Sequence, residues 1–316
     1  MLCLNLRSTD PFFNLALEEI LLKNRKEEFL ILGINDPAVV IGKHQVPHRE
    51  VNTRFVKEKN IPVIRRISGG GTVFHDPGNL NFSFIIQSEA GKQVDFGKYT
   101  LPVISFLSTL GVEAKLEGKN DLKIDGFKIS GNAEHIHGNR VLHHGTLLFD
   151  TSLDLLRNSL RKNTGNYTSK AVESNPSPVI NLKEKLNFIQ EMTQFRSMML
   201  SWFLNNRHDA EIYTLEKKES AEAESLAESK YKTWEWNYAY GPEYHFNNRF
   251  KISGIPHSCN IFVKDGIIWE CTIEGSDQLT AVAKNLIGIR HMPADLLQVF
   301  RENGVALNDD EVYGLF

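Results

Sequence analysis

The segment Arg65-Arg66-Ile67-Ser68-Gly69-Gly70-Gly71-Thr72-Val73-Phe74-His75-Asp76-Pro77-Gly78-Asn79 carries the densest chemical signal in the chain. Three consecutive glycines between strand-like runs weaken a sheet through backbone entropy. Their usual compensation is close approach of the backbone to a ligand. Exposed N–H groups in such a loop can cradle an anion, and adjacent arginines neutralise it. A wide turn flanked by surface arginines explains the same spacing, so phosphate or carboxylate binding and that bland alternative both stand. Gly-x-x-x-x-Gly-Lys-Ser/Thr is absent, and Gly-x-Gly-x-x-Gly does not occur in a βαβ setting.

A second signal is Asn120-Asp121 followed by Lys128-Ile129-Ser130-Gly131. Leu122-Lys123-Ile124, Asp125-Gly126 and Phe127-Lys128-Ile129 predict a tight hairpin with a primed turn. A two-residue loop pairs Ile124 with Phe127, Lys123 with Lys128, and Asp121 with Ser130. Directly paired residues share a face. Leu122, Ile124, Phe127 and Ile129 then point to the core, and Asp121, Lys123, Lys128 and Ser130 lie opposite. A salt bridge on a solvated sheet is the commoner reason for such a polar face. The functional reason is that lysine is a compact charge suited to a developing oxyanion or phosphate. Asp121 is the candidate ligand for a magnesium ion that carries nucleotide phosphates.

A third signal is His143-His144-Gly145-Thr146-Leu147-Leu148, with His135, His137 and His144 on one predicted face. Closed zinc sites show tighter His/Cys spacing and carboxylates behind their ligands, so hydrogen-bonded histidines, or one contact to a nucleotide, are favoured over a metal. Cys3, Cys259 and Cys271 all fall outside these segments, which disfavours a thioester intermediate. Neither Gly-x-Ser-x-Gly nor His-Glu-x-x-His occurs.

Several elements must position these groups. Asp10-Pro11 starts a helix over 11–24. Residues 28–33 and 38–42 read as short buried strands around an Asn35-Asp36-Pro37 turn. A helix is expected over 49–59, a strand over 61–67, and an alternating strand over 80–86. Gly111 stops a helix over 99–110. A turn at Gly138-Asn139 leads into a strand over 140–149. Residues 153–160 are expected to be helical, 182–203 to form a long amphipathic helix, and 216–232 a solvated one. A boundary near 243–249 precedes strands over 251–263 and 267–273 and helices over 277–286 and 293–303.

The 316 residues suggest two domains, 1–243 and 250–316. Hydrophobic residues make up 41% and charged residues 24%, so wholesale disorder is excluded. A net charge of −3 argues against nucleic acid as a partner. No apolar run approaches the roughly 18 residues of a membrane span. No secretory signal is visible, and a cytoplasmic location is expected.

Taken together, the 65–79 block, Asn120-Asp121, Gly126-x-Lys128-x-Ser130-Gly131 and His144-Gly145-Thr146-Leu147-Leu148 resemble the lipoate–protein ligase family in order and spacing. Val39-Val40-Ile41-Gly42-Lys43-His44-Gln45 is similar to the family's substrate-pocket strand. Val179-Ile180-Asn181-Leu182 resembles a loop that closes over the nucleotide. Trp234-Glu235-Trp236-Asn237 resembles the end of the catalytic domain, and 250–316 the accessory domain of the longer ligases. The resemblance implies an α+β biotin/lipoate ligase-like fold with mixed, largely antiparallel sheets and flanking helices, plus a small C-terminal α/β domain. It implies activation of lipoate or octanoate with ATP to an acyl-adenylate, then transfer to a lysine of a carrier domain. Lys128 would be catalytic. Arg66, Ser68, Gly70, Gly71, Thr72, Val73, Phe74, His75, Asn79, Asn120, Asp121, Ser130, Gly131, Ala133, His144 and Thr146 would hold ATP and the adenylate. Val40, Gly42 and His44 would line the lipoate pocket, and Asp121 would bind Mg2+. Implied partners are lipoyl domains of 2-oxoacid dehydrogenase acyltransferase subunits and the glycine cleavage H protein.

Relatives that are octanoyltransferases use a cysteine nucleophile. In one branch it lies just after Lys-x-Ser-Gly, where this chain reads Asn132-Ala133-Glu134, which favours the ligase. A lipoyl or octanoyl transferase using a preformed donor is the nearest alternative. A non-catalytic scaffold that binds carrier domains is the alternative of another class. It could dispense with Arg66, Asp121 and Lys128, all of which are present.

Overall fold

The computed structural model describes residues 1–88, 95–308 and 310–316. Its first unit is built from Met1–Lys43, Ile64–Arg157 and Ser174–Lys232. An eight-stranded sheet runs through it in the order Glu211–Tyr213, Leu2–Asn5, Phe29–Ile34, Asn79–Gln87, Arg140–Leu148, Phe127–His137, Asp121–Ile124 and Lys115–Glu117. Leu2–Asn5 pairs in parallel with both neighbours, and the other pairings are antiparallel. The chain therefore has the expected mixed, largely antiparallel sheet with flanking helices.

Strand alternation divides the sheet into two faces. Leu30, Leu32, Phe82, Phe84 and Leu147 pack with Phe106, Phe195, Met199 and Phe203 of the helices Phe96–Thr109 and Met192–Asn206 into one core. Ser83, His144 and Thr146 take the opposite face, where the helix Pro11–Asn24 lies. That helix begins as expected: the Asp10 carboxylate accepts from the Phe12 and Phe13 N–H groups, and Pro11 occupies the first turn.

The Asp125-Gly126 turn is of the primed type, with φ of 51° and 81°. The strands after it depart from simple pairing. A bulge between Leu122 and Lys123 sets Asp121 opposite Gly131 rather than Ser130, and Leu122 opposite Ser130. Ile129 and Leu122 are buried, whereas Phe127, expected in the core, is 44% exposed.

Other expectations give way to local packing. The 182–203 helix is interrupted: Leu182–Glu184 is a single 3-10 turn, and the α-helix begins at Met192. Leu186 and Ile189 fill the core from the irregular stretch between them. The 49–59 helix is two short ones, Pro47–Glu50 and Thr53–Glu58, because the Asn52 side chain caps the second. The helix Lys217–Leu226 continues into a π-turn, Ala227–Tyr231, and is not freely solvated. Glu219, Ala223, Ala227 and Tyr231 recur every four residues and are buried, and this run packs on Pro11–Asn24.

A second unit comprises His44–Val63, Asn158–Glu173 and Thr233–Phe316. Its four-stranded sheet has the order Tyr167–Ser169, Tyr244–Ile252, Ile255–Lys264, Ile267–Glu274. The helices Asp277–Asn285 and Pro293–Glu302 pack on its buried side around Leu279, Val282, Leu296 and Phe300.

Gly78 is the tightest backbone crossing in the first unit. Its carbonyl accepts from the N–H groups of Phe149 and Asp150. A Cβ there would lie 2.0 Å from the Asp150 carbonyl oxygen. Backbone cannot yield as a side chain does, so Gly78→Ala is expected to cost about 3 kcal/mol of stability. Chemical denaturation checks this, and an unchanged midpoint would contradict the crossing.

Candidate active site

The glycine loop is shaped by arginines that the protein has buried. Arg65 and Arg66 are 0% and 4% exposed, which eliminates the surface-arginine alternative. Arg65 Nη1 donates to the carbonyls of Gly42 and Lys43, at 3.1 and 2.9 Å. Arg66 donates from Nε to Ser68 Oγ at 2.8 Å and from Nη1 to the Val40 carbonyl at 3.1 Å. Its Nη2 bonds the carbonyls of Gly69 and Gly71 at 2.6 and 2.7 Å. Burial lowers the Arg66 guanidinium to about 10, which leaves it charged at neutral pH. Gly70 closes the loop at φ +84°, and a Cβ there would approach Arg66 Nη2 to 3.1 Å. The Thr72 N–H donates to Ser174 Oγ at 2.8 Å. The strands Ala38–Ile41 and Val73–His75 frame the loop, pairing Val40 with Val73 and Val39 with Phe74.

Four parts of the sequence meet around this loop. Lys128 Nζ lies 2.8 Å from Asp121 Oδ1, and both side chains are partly exposed. A Cβ on Gly131 would sit 3.0 Å from Lys128 Nζ and 3.8 Å from Val73 Cγ1, so the ammonium lies over Gly131 near Val73. The Gly131 N–H donates to Thr146 Oγ1 at 3.2 Å. The Lys128 backbone pairs with the 178–180 segment: its N–H donates to the Pro178 carbonyl at 2.8 Å and its carbonyl accepts from Ile180 at 3.2 Å. Lys123 lies 3.5 Å from Glu117, which gives it a partner of its own.

Other expected site residues have well-defined partners. Ser130 is buried, and its Oγ accepts from the Asn132 amide at 3.2 Å. Asn120 and Asn132 are bonded to each other through side chain and backbone. Asn79 is wholly buried and donates to Asn81 Oδ1 at 2.8 Å. Phe74 is buried in the framing strand, and Ala133 Cβ lies 3.7 Å from where a Gly70 Cβ would be. The carbonyls of Val40 and Gly42 serve the two arginines. His44 belongs to the second unit, where its carbonyl accepts from the Val172 N–H at 3.2 Å.

A residue the sequence reading passed over ties the site together. Ser68 Oγ is 2.6 Å from His144 Nε2, and His144 Nδ1 is 2.9 Å from Glu18 Oε2. The other oxygen of Glu18 accepts from Ser83 Oγ. Glu18 lies three residues after Leu15 and four after Asn14, on the buried stripe of its helix. A carboxylate on such a stripe is itself a signal. Its neighbour Glu19 is turned elsewhere and bonds Lys23, Lys230 and Tyr231, each at 2.6 Å. Burial would raise the Glu19 carboxyl, but those three bonds together hold it below its usual value. Among the described residues no group of three or more His, Cys, Asp or Glu is arranged to hold a metal ion.

His75 is buried with Nδ1 2.8 Å from Asn35 Nδ2. Burial, with Arg66 and His144 nearby, lowers its imidazole to about 3. It is therefore neutral at working pH, with Nδ1 accepting from Asn35. Because the folded value lies below the unfolded one, this group's stability is fully present above about pH 6.5 and is lost as pH falls toward 3. Imidazole NMR is expected to show His75 neutral at pH 5. Protonation there would mean that the site is open to water.

Comparison with known proteins identifies the family. Residues 10–204 match the family described as lipoyl protein ligase A/B catalytic domain. The chain is 38% identical over 277 residues to the lipoate-protein ligase LplJ of Bacillus subtilis, spanning 86% of this chain and 83% of that one. It is also 38% identical to lipoate–protein ligase 1 of Staphylococcus aureus, over 90% of this chain and 88% of the other. Among solved structures, a lipoate-protein ligase A bound with ATP matches at a TM-score of 0.64 and 27% identity, covering 75% of this chain and 97% of that one. Two Thermoplasma acidophilum structures match at a TM-score of 0.63 and 27% identity over 75% of this chain. One is a putative lipoate protein ligase with bound lipoic acid, of which 98% is covered. The other describes a bi-partite lipoate protein ligase and its E2 lipoyl domain, with 95% covered. The chain belongs to the lipoyl protein ligase A/B family.

Proposed function

We propose that this chain activates lipoate, or octanoate, with ATP to an acyl-adenylate and transfers the acyl group to a lysine of lipoyl domains. The observation that carries the reading is Lys128, whose ammonium lies over Gly131, 2.8 Å from Asp121, beside the arginine-braced glycine loop. A compact cation there counters charge on the attacking carboxylate and the α-phosphate. In the transfer step it counters charge on the carbonyl oxygen as the carrier lysine attacks and AMP leaves. Backbone N–H groups around Gly71 and Val73 suit the phosphates in this reading. Ser68, His144, Thr146 and Asn79 complete the nucleotide and adenylate contacts in this reading. Val40 and Gly42 line the acyl pocket in this reading. Burial of the chain contributes about 0.8 kcal/mol per methylene, so octanoate competes with lipoate.

Asp121 suits a magnesium ion. That ion typically takes one or two carboxylates and completes its shell with phosphates and water, so a dedicated protein cage is unnecessary. Magnesium supplies charge neutralisation of the phosphates. The glycine cleavage H protein is a further acceptor in this reading, the cytoplasm its location, and 250–316 an accessory domain to the 1–243 catalytic segment. A cysteine-based transferase finds no support. All three cysteines are buried, and burial raises their thiols, to about 12 for Cys259 and Cys271.

Lipoate-dependent exchange of labelled pyrophosphate into ATP, without carrier protein, tests the first step directly. Exchange is expected. Its absence alongside transfer from supplied lipoyl-adenylate would make the chain a transferase, and absence of both would leave a scaffold. Lys128→Ala is expected to lower kcat by about 100- to 1,000-fold with the fold retained. Near-normal exchange in that variant would remove Lys128 from the mechanism.

A further inference from the structure

His143 adjoins His144 in sequence but points to the opposite face of the sheet. It is wholly buried among the rings of Phe82, Phe84, Phe96 and Tyr99. Its Nδ1 lies 2.9 Å from Glu134 Oε1, and its Nε2 lies 3.3 Å from Asn132 Oδ1. The Asn132 amide donates to the Asn120 carbonyl at 2.9 Å. The Asn132 backbone N–H bonds the same carbonyl at 3.1 Å, and the Asn120 side chain donates back to the Asn132 carbonyl. Gly145 leaves room for this amide, since a Cβ there would lie 2.2 Å from Asn132 Oδ1. At the far end, Glu134 Oε2 accepts the N–H of Asp95, which caps the helix Phe96–Thr109. Asn120 directly precedes Asp121, the partner of Lys128.

Donor and acceptor roles run one way along this chain. A carbonyl only accepts, so the Asn132 amide turns its nitrogen to Asn120 and its oxygen to His143. His143 must then donate from Nε2. A neutral imidazole has one N–H, so Nδ1 needs a proton shared with Glu134.

We propose that Glu134, His143 and Asn132 form a positioning chain that fixes Asn120 and, through it, the Asp121–Lys128 pair for magnesium-ATP, while leaving the acyl pocket unaffected. This rests on the ligase reading above. No atom of the three residues is assigned to substrate, and Asn132 and Glu134 belong to the stretch where a cysteine-dependent relative carries its nucleophile. Here the same stretch serves as a brace.

Three variants test it in the pyrophosphate exchange. Glu134→Met/His143→Phe removes both partners together and strands no buried charge. Asn132→Asp keeps the shape but sets a carboxylate oxygen against the Asn120 carbonyl. Glu134→Gln supplies an N–H to Nδ1 and preserves the bond from Nε2 to Asn132. The first two are expected to raise the KM for magnesium-ATP about tenfold, with the KM for lipoate and kcat at saturating ATP within about twofold of wild type. Glu134→Gln is expected to match wild type. A purely structural role would reduce the active fraction, lowering kcat and leaving both KM values in place. Either of the first two variants decides alone should the other fail to fold. An unchanged KM for ATP, or a Glu134→Gln variant as impaired as Asn132→Asp, would overturn the proposal. No exchange by the wild-type chain would overturn the ligase reading and this brace with it.

Discussion

The site depends on a buried guanidinium whose hydrogen-bond partners are mostly backbone carbonyls. Arg66 spends its donors on the carbonyls of Val40, Gly69 and Gly71 and on Ser68 Oγ. An isolated buried charge is costly, and planar, forked donors aimed at several acceptors offset that cost better than one carboxylate would. The loop's Gly69 and Gly71 carbonyls are turned in toward the arginine, and the Thr72 N–H at its end is held by Ser174 Oγ. Glycine is needed where the chain bends at positive φ, as at Gly70. The arginine and the glycines thus answer one problem: how to hold a glycine loop in one shape without a helix behind it.

The sheet carries this loop's surroundings on one side and a hydrocarbon core on the other. Successive residues of Arg140–Leu148 alternate between the two. His144 turns toward Ser68 and Glu18, while His143 turns into the aromatic cluster with Glu134. The same alternation sets Thr146 beneath the Gly131 N–H and leaves Gly145 bare, where Phe82 and Asn132 fill the space. A one-residue slip of this strand would exchange the two sets, so packing on the core side enforces the register on the chemical side.

What was legible in the sequence follows the range of the interactions. The Asp10 cap, the Asp125-Gly126 turn and the strand Asn79–Gln87 are governed by neighbouring residues, and they were read correctly. That residues 65–79, 121–131 and 144–146 belong together was implied by the family resemblance, which was legible because each segment keeps its characteristic residues close in sequence. The bulge that pairs Asp121 with Gly131 was not, since no local rule reports an extra residue in one strand. The break at 185–191 escaped notice because Leu186 and Ile189 are apolar at helical spacing but fill a core from an irregular loop. Glu18 lies unremarked inside the helix expected over 11–24. Its significance depends on Ser83 and His144, 65 and 126 residues away.

The two cations of the site differ in the work their environments permit. Arg66 is sealed and multiply bonded, so its position is set before any ligand arrives. Lys128 is 22% exposed and held by a single carboxylate. Partly exposed pairs of this kind contribute about 0–1 kcal/mol, little enough for an ammonium on a flexible stem to leave its partner when a stronger negative charge forms nearby. A rigid guanidinium could frame the loop but could not follow charge from a carboxylate to a phosphate and then to a carbonyl oxygen. The backbone of Lys128, pinned on one side by residues 178–180, fixes the base of that stem while its end remains free to move. In the proposed reaction, fixed donors would hold the phosphates while one mobile charge follows the reacting oxygens through an adenylyl transfer and then an acyl transfer at one locus.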